Sequence, residues 1–138
     1  MAYEQPTKEE IKEIFDHAKR IAVVGLSEKP EKTSYEVSKV MQEEGYEIIP
    51  VNPNAEEVLG VKAVNSLEDI DGHIDIVNVF RRSEHLPEVA REAASIDADV
   101  FWAQLGLEND EAYQIAKEAG MKVVMDRCIK VEHAITRS

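Results

Sequence analysis

Hydrophobic and polar positions along the chain switch repeatedly between two periods. Short, almost unbroken apolar runs alternate with stretches that carry an apolar residue every three to four positions. Thr7-Lys8-Glu9-Glu10 has the form of a capping box, and Ile11, Ile14, Phe15 and Ala18 then trace a helical stripe. Ile21 to Leu26 predicts a first strand. Ser34 to Glu44 predicts a helix with Val37, Val40 and Met41 inward, stopped by Gly45. Tyr46 to Val51 predicts a second strand, closed by the turn signal Asn52-Pro53-Asn54. A short strand is expected after Gly60 within Val58 to Val64, and a serine-capped helical turn at Ser66 to Asp69. Ile74 to Phe80 is the next strand, and a helix follows from Ser83 or Glu84 to Ser95 with Leu86, Val89, Ala90 and Ala93 inward. Val100 to Ala103, a helix from Asn109 to Ala119, Met121 to Met125 and a last helix from Cys128 to Thr136 complete the order.

Strands that alternate with helices argue for a parallel sheet covered on both faces. The near-continuous apolar strands agree, because such strands are buried on both sides. Ligands of these sheets bind beyond the carboxyl ends of the strands, where the strand order reverses. Those ends are Gly25 to Thr33, Val51 to Asn54, Phe80 to Ser83, Ala103 to Gly106 and Asp126 to Cys128.

The 138 residues fit one domain, expected to span 1–138, that buries on the order of two-thirds of its unfolded surface. No apolar run approaches the roughly 18 residues of a membrane span, and the polar, acidic Met1 to Glu10 does not read as a signal peptide. Cys128 is the single cysteine, which suits a reducing, cytoplasmic setting. The formal charge of −12 repels nucleic-acid phosphate and anionic lipid, so neither nucleic acid nor membrane is an expected partner. A small anionic ligand remains open, provided that Lys and Arg cluster locally.

They do cluster. Lys29, Lys32, Arg81, Arg82, Arg127 and Lys130 are six of the 16 basic residues, and all lie in three strand-end segments. Gly25 lets the chain turn sharply, the helix beginning near Ser34 offers free N–H groups, and Ser27, Thr33 and Ser34 add hydroxyls. A phosphate cradle and an ordinary loop with solvated lysines both fit this segment. Arg81 and Arg82 suit bidentate phosphate contacts, or else pairing with Glu84 or Glu88. Trp102, Gln104 and Gly106 form either a wall for an elongated ligand, or a core tryptophan beside an amide bonded to a loop. The first loop is not a dinucleotide fingerprint, because Ser27 and Pro30 stand where glycines are needed and no acidic residue follows Val51. A Walker A ending is absent as well.

Gly25-x-Ser27, Pro30 with Lys32 and Ser34-Tyr35, Val51-Asn52-Pro53, Val79-Phe80-Arg81-Arg82, Trp102-x-Gln104-x-Gly106 and Met125-Asp126-Arg127-Cys128 together resemble the small stand-alone CoA-binding proteins. These are similar to the CoA-binding domain of the succinyl-CoA synthetase α subunit. The resemblance runs from about Phe15 to His133. It implies a Rossmann-like α/β/α fold of three layers with a mainly parallel sheet of five or six strands, and coenzyme A or an acyl-CoA as ligand. It also implies Gly25, Ser27 and the start of the second helix at the CoA diphosphate, Asn52 and Pro53 near the adenosine, and Phe80 with Arg81 along the pantetheine and phosphate path. The synthetase subunit has a glycine-richer first loop and a later domain with a phosphorylated histidine; this chain has neither.

His17, His73, His85 and His133 do not recur at metal-ligand spacing with Cys, Asp or Glu, so neither a metal site nor a catalytic set is expected. Cys128 stands after a strand and before a helix, where a helix N-terminus and Arg127 favour a thiolate; a small buried hydrophobe is the other reading. Three functions are therefore in play. The first is a non-catalytic CoA or acyl-CoA carrier or sensor, using Gly25, Ser27, Lys29, Lys32, Thr33, Ser34, Asn52, Pro53, Phe80, Arg81, Arg82 and Gln104. The second is an NAD- or nucleotide-dependent enzyme. The third is a thiol-redox protein whose Cys128 forms a mixed disulfide with CoA. The residues identify no protein partner.

Overall fold

The computed structural model describes residues 3–137. Five parallel strands form the central sheet: β1 (Arg20–Val24), β2 (Glu47–Val51), β5 (Ile74–Val79), β6 (Ala98–Ala103) and β7 (Lys122–Val124), in the order β2-β1-β5-β6-β7. The sheet is thus five-stranded and wholly parallel. The short strand expected after Gly60 is β4 (Val61–Lys62); it pairs antiparallel with β3 (Glu57–Val58) in a hairpin outside the main sheet. Leu59 and Gly60 both take positive φ (56° and 77°), the backbone that two-residue hairpin turns require. Val64 then bridges to Val51 beside β2. Pro50 is tolerated within β2 because β2 is the end strand of the main sheet.

Helices cover both faces. On one face, α1 (Lys8–His17), α2 (Thr33–Glu43) and α5 (Ile129–Arg137) bury Ile11, Phe15, Val37, Met41 and Ile129 against Ile21, Val23, Ile48, Ile76 and Trp102. On the other, α3 (Leu86–Ala94) and α4 (Asp110–Glu118) bury Leu86, Val89, Ala90, Ala112 and Ala116 against Ala22, Val24, Val77, Val79 and Phe101. Alternate residues of β1 therefore enter opposite cores: Ala22 and Val24 one, Ile21 and Val23 the other. Among the described residues, no helix is long and apolar enough to cross a membrane.

The helix ends follow the local rules. Thr7 Oγ1 accepts the Glu10 N–H (3.2 Å) and Glu10 Oε1 accepts the Thr7 N–H (2.9 Å), completing the expected capping box. Asn109 Oδ1 accepts the Ala112 N–H (2.9 Å) at the start of α4. The predicted helix after β5 begins instead as a 3-10 turn (Ser83–His85), and α3 takes over at Leu86 with Pro87 in its first turn, where a missing N–H costs nothing.

His133 is buried on α5, edge-on to Phe15 (5.0 Å between ring centres) and Tyr46 (5.5 Å). Burial, aided by the nearby Arg137 charge, pushes its pKa below the ordinary 6.5. The unfolded chain then binds the proton more readily than the folded one. The stability tied to neutral His133 is full above about pH 6.5 and is lost as pH falls through the lowered folded value. Urea unfolding on both sides of that window is expected to show a smaller acid loss for His133→Phe than for the natural chain. An equal loss in both would remove His133 as the cause.

Candidate functional site

β1 sends its chain to β2 on one side, and the later strands are laid down on the other side. The order therefore reverses between β1 and β5. At that point the Gly25 N–H donates to Val51 O and the Phe80 N–H to Val24 O, each at 2.9 Å. Gly25 has φ +87°, and a Cβ placed on it would stand 2.5 Å from the Phe80 carbonyl oxygen. From the sequence, Gly25 is expected at a sharp turn and beside a diphosphate. The structure shows a prior demand: the neighbouring strand end occupies the space a side chain would need.

Beyond Gly25 the chain runs into α2, which starts differently from α1 and α4. Its N-cap is Lys32, and no side chain caps it. The Thr33 and Ser34 N–H groups have no hydrogen-bond partner among the described residues. The positive end of α2 is therefore unneutralised. Lys29 and Lys32 are exposed beside it and form no ion pair with any described residue. The two serines are already engaged: Ser34 Oγ accepts the Ser27 N–H (3.0 Å), and Ser27 Oγ accepts the Lys29 N–H (3.1 Å). Their first task is to shape this loop.

Two cavities, each of about 440 Å³, open along the carboxyl ends of the strands, and Arg81 lines both. One holds Gly25, Asn52 and Pro53 together with Glu88 and Glu92. The other holds Thr33, Phe80, Arg82, Gln104 and Cys128, with Leu105 and Leu107 as apolar cover. Eight of the twelve residues expected at the site thus line one cavity or the other, while Ser27, Lys29, Lys32 and Ser34 flank them in the loop before α2. Arg81 is half-buried and makes no hydrogen bond or ion pair with a described residue. Arg82 is more exposed and stands 3.8 Å from Glu84, a pair of little energetic weight.

Several side chains have duties within the fold. Asn52 Nδ2 donates to Leu26 O and its Oδ1 accepts the Asn54 N–H, both at 2.9 Å, so Asn52 ties the ends of β1 and β2 together. Gln104 is buried, and its Oε1 accepts the Ile129 N–H (3.3 Å) at the start of α5. Trp102 is fully buried core, and its Nε1–H donates to Arg127 O (2.9 Å). Lys130 is held by Glu36 at 2.8 Å, joining α5 to α2, and Arg127 donates to Asp126 O at 2.7 Å. Glu36 neutralises the Lys130 charge, whereas Arg127, bonded to a neutral carbonyl, keeps its own. Leu105, Leu107, Asn65, Glu88 and Glu92 were not expected as lining. Leu105 carried the only signal, a large apolar residue next to Gly106 at a strand end.

A family model described as a CoA binding domain matches residues 19–134. An uncharacterized protein of Bacillus subtilis, YneT, is 66 % identical over 97 % of this chain and 99 % of its own length. The α subunit of the ADP-forming acetate–CoA ligase II of Pyrococcus furiosus is 30 % identical; the match covers 85 % of this chain but 28 % of the ligase subunit. A solved structure of a hypothetical protein from Pyrococcus horikoshii superposes with a TM-score of 0.92 at 39 % identity, over 100 % of both chains.

Proposed function

This chain belongs to the CoA-binding domain family, and from that premise we propose that it binds coenzyme A or an acyl-CoA across the two cavities that meet at Arg81, as a carrier or sensor that performs no chemistry of its own. The observation that carries the reading is the unpaired, half-buried Arg81 at the junction, facing an uncapped α2 whose Thr33 lines one of the same cavities. Coenzyme A has a phosphorylated adenosine at one end, a pantetheine arm at the other and a diphosphate between them. The diphosphate suits Arg81, Arg82 and the α2 N–H groups. The adenosine suits the Asn52–Pro53 side, and the arm suits Phe80, Leu105 and Leu107. Gly25, Ser27 and Ser34 set the loop, and Lys29 and Lys32 add attraction at longer range. Gln104 closes the floor.

Arg81→Ala tests this. Loss of a charge-assisted contact to phosphate is worth about 1.5–3 kcal/mol, which corresponds to a Kd for CoA raised roughly 10- to 100-fold. The dependence of affinity on salt should flatten as well. Arg82→Ala should cost less, because Arg82 is already solvated. Isothermal titration at two salt concentrations, with NAD beside CoA, measures all three effects. Unchanged affinity in Arg81→Ala, or NAD binding as tightly as CoA, would overturn the proposal. NAD is disfavoured because Asn52, not an acidic residue, stands after β2 where a dinucleotide site holds the ribose hydroxyls.

One observation favours a second reading. Cys128 lines the same cavity as Phe80 and Arg81, where the sulfur end of a pantetheine arm would run. A Cys128 thiolate attacking CoA disulfide would form a protein–CoA mixed disulfide and release CoA thiol. Mass spectrometry after CoA disulfide treatment decides it: absence of an adduct on Cys128 removes this reading and leaves reversible binding.

A further inference from the structure

The opposite edge of the sheet, at the amino ends of β5 and β6, gathers a second set of polar groups. The His73 ring lies among three carboxylates, with Nδ1 2.8 Å from Asp97 Oδ2 and Nε2 2.9 Å from Asp99 Oδ2 and 3.5 Å from Asp75 Oδ1. Single ligand atoms of His73, Asp75 and Asp99 all lie within 4.8 Å of one another. Donors placed about 2.1 Å from a shared ion are roughly 3 to 3.5 Å apart, so small side-chain rotations bring these three to coordination distance.

The three groups are oriented from behind. Nδ1 lies toward Asp97, so the ring turns Nε2 toward the other two carboxylates. This is the arrangement in which a carboxylate fixes the tautomer of a metal-binding imidazole. Asp75 Oδ2 accepts the Lys19 N–H (2.9 Å) and the Arg20 N–H (2.8 Å), leaving Oδ1 toward His73. The Arg20 guanidinium donates to the carbonyls of Asp71 (3.0 Å) and His73 (2.9 Å) and fixes the backbone that carries the ring. A cavity of about 320 Å³ adjoins the cluster, lined by Asp75, Asp99, Glu13, His17 and the cation Lys122. Glu13 and His17 are one turn apart on α1. The cavity has room for the water that would complete the coordination.

We propose that His73, Asp75 and Asp99 form a site for a divalent first-row transition cation of the zinc class, with Asp97 and the Lys19 and Arg20 amides as its supports and water completing the coordination. One imidazole with two carboxylates suits Zn²⁺ or Co²⁺ better than Mg²⁺ or Ca²⁺, which take oxygen sets. On binding, the Nε2 proton that links His73 to Asp99 leaves for solvent and the cation takes its place. The ion joins the start of β5 to the start of β6, at the far end of strands about 17 Å long from the nucleotide cavities.

The test is titration of the tag-free chain with Co²⁺, read by its visible ligand-field bands, together with thermal melts in Zn²⁺ and in Mg²⁺. The expected result is one equivalent of Co²⁺ bound, a Tm raised by Zn²⁺ and not by Mg²⁺, and loss of the bands in His73→Ala. Asp97→Asn, which removes a support and no ligand, should weaken affinity about 10- to 100-fold and also guards against a folding defect in the alanine variant. No bands at one equivalent, equal binding by His73→Ala, or unchanged affinity in Asp97→Asn would each overturn the proposal.

Discussion

Trp102→Ala is expected to destabilise the chain by about 3–5 kcal/mol, the usual range for removing a large buried aromatic. Trp102 is fully buried on β6, 5.5 Å from the Phe15 ring, and Phe15 in turn packs on Tyr46 and His133. The substitution opens a cavity at the centre of the α1–α5 layer. It also leaves the Arg127 carbonyl without the indole N–H that holds it at 2.9 Å. At roughly 3 °C per kcal/mol for a chain of this size, Tm should fall by about 10 to 15 °C. Trp102→Phe separates the two contributions. It keeps most of the ring and loses the N–H, so about 1–2 kcal/mol is expected. Urea unfolding of both variants measures the difference. Equal costs would mean that the hydrogen bond to the β7–α5 loop, and not the packing, dominates.

Gly25→Ala should cost about 2–5 kcal/mol for a different reason. Positive φ at a residue with a Cβ costs roughly 1–2 kcal/mol. Collision with a fixed carbonyl adds overpacking of about 1–3 kcal/mol, because the Cβ would lie 2.5 Å from Phe80 O. Gly45 provides the control. Its φ is +104°, yet nothing lies within 4 Å of the added carbon, so Gly45→Ala carries only the backbone strain. Matched urea melts should therefore separate the two variants by about 1–3 kcal/mol. If they unfold at the same denaturant concentration, close approach at the strand ends is not what demands glycine. Relief of the collision must move the Phe80–Arg81 segment, so CoA binding should weaken along with stability.

The layered fold was legible because each central strand is buried on both faces and so leaves a mainly apolar run, unbroken in Ile21 to Val24 and interrupted only by Asp75 and Asn78 in Ile74 to Val79. Caps were legible where the partner lies three residues away, as for Thr7 with Glu10 and Asn109 with Ala112. The hairpin at Glu57 to Lys62 was not, because its turn puts Leu59, a residue without turn preference, at positive φ. Long-range partners were equally hidden. Lys130 reads as a free rim cation until α5 lies beside α2 and Glu36 meets it from 94 positions away. Gln104 reads as a cavity wall until its amide oxygen meets the start of α5. The His73 cluster has no motif spacing, since its carboxylates come from the amino ends of two neighbouring strands.

Arg81 lines both cavities, so under the proposed seating the ligand would bind as a chelate. Once one arm of a two-armed molecule is seated, the other is delivered to its cavity at an effective concentration in the millimolar range, set by the short tether between them. Neither arm then needs to bind strongly alone. The polar and apolar halves can each dissociate and return many times before the whole molecule escapes. Under the proposed seating, residence time, more than the strength of any single contact, is what this architecture would govern.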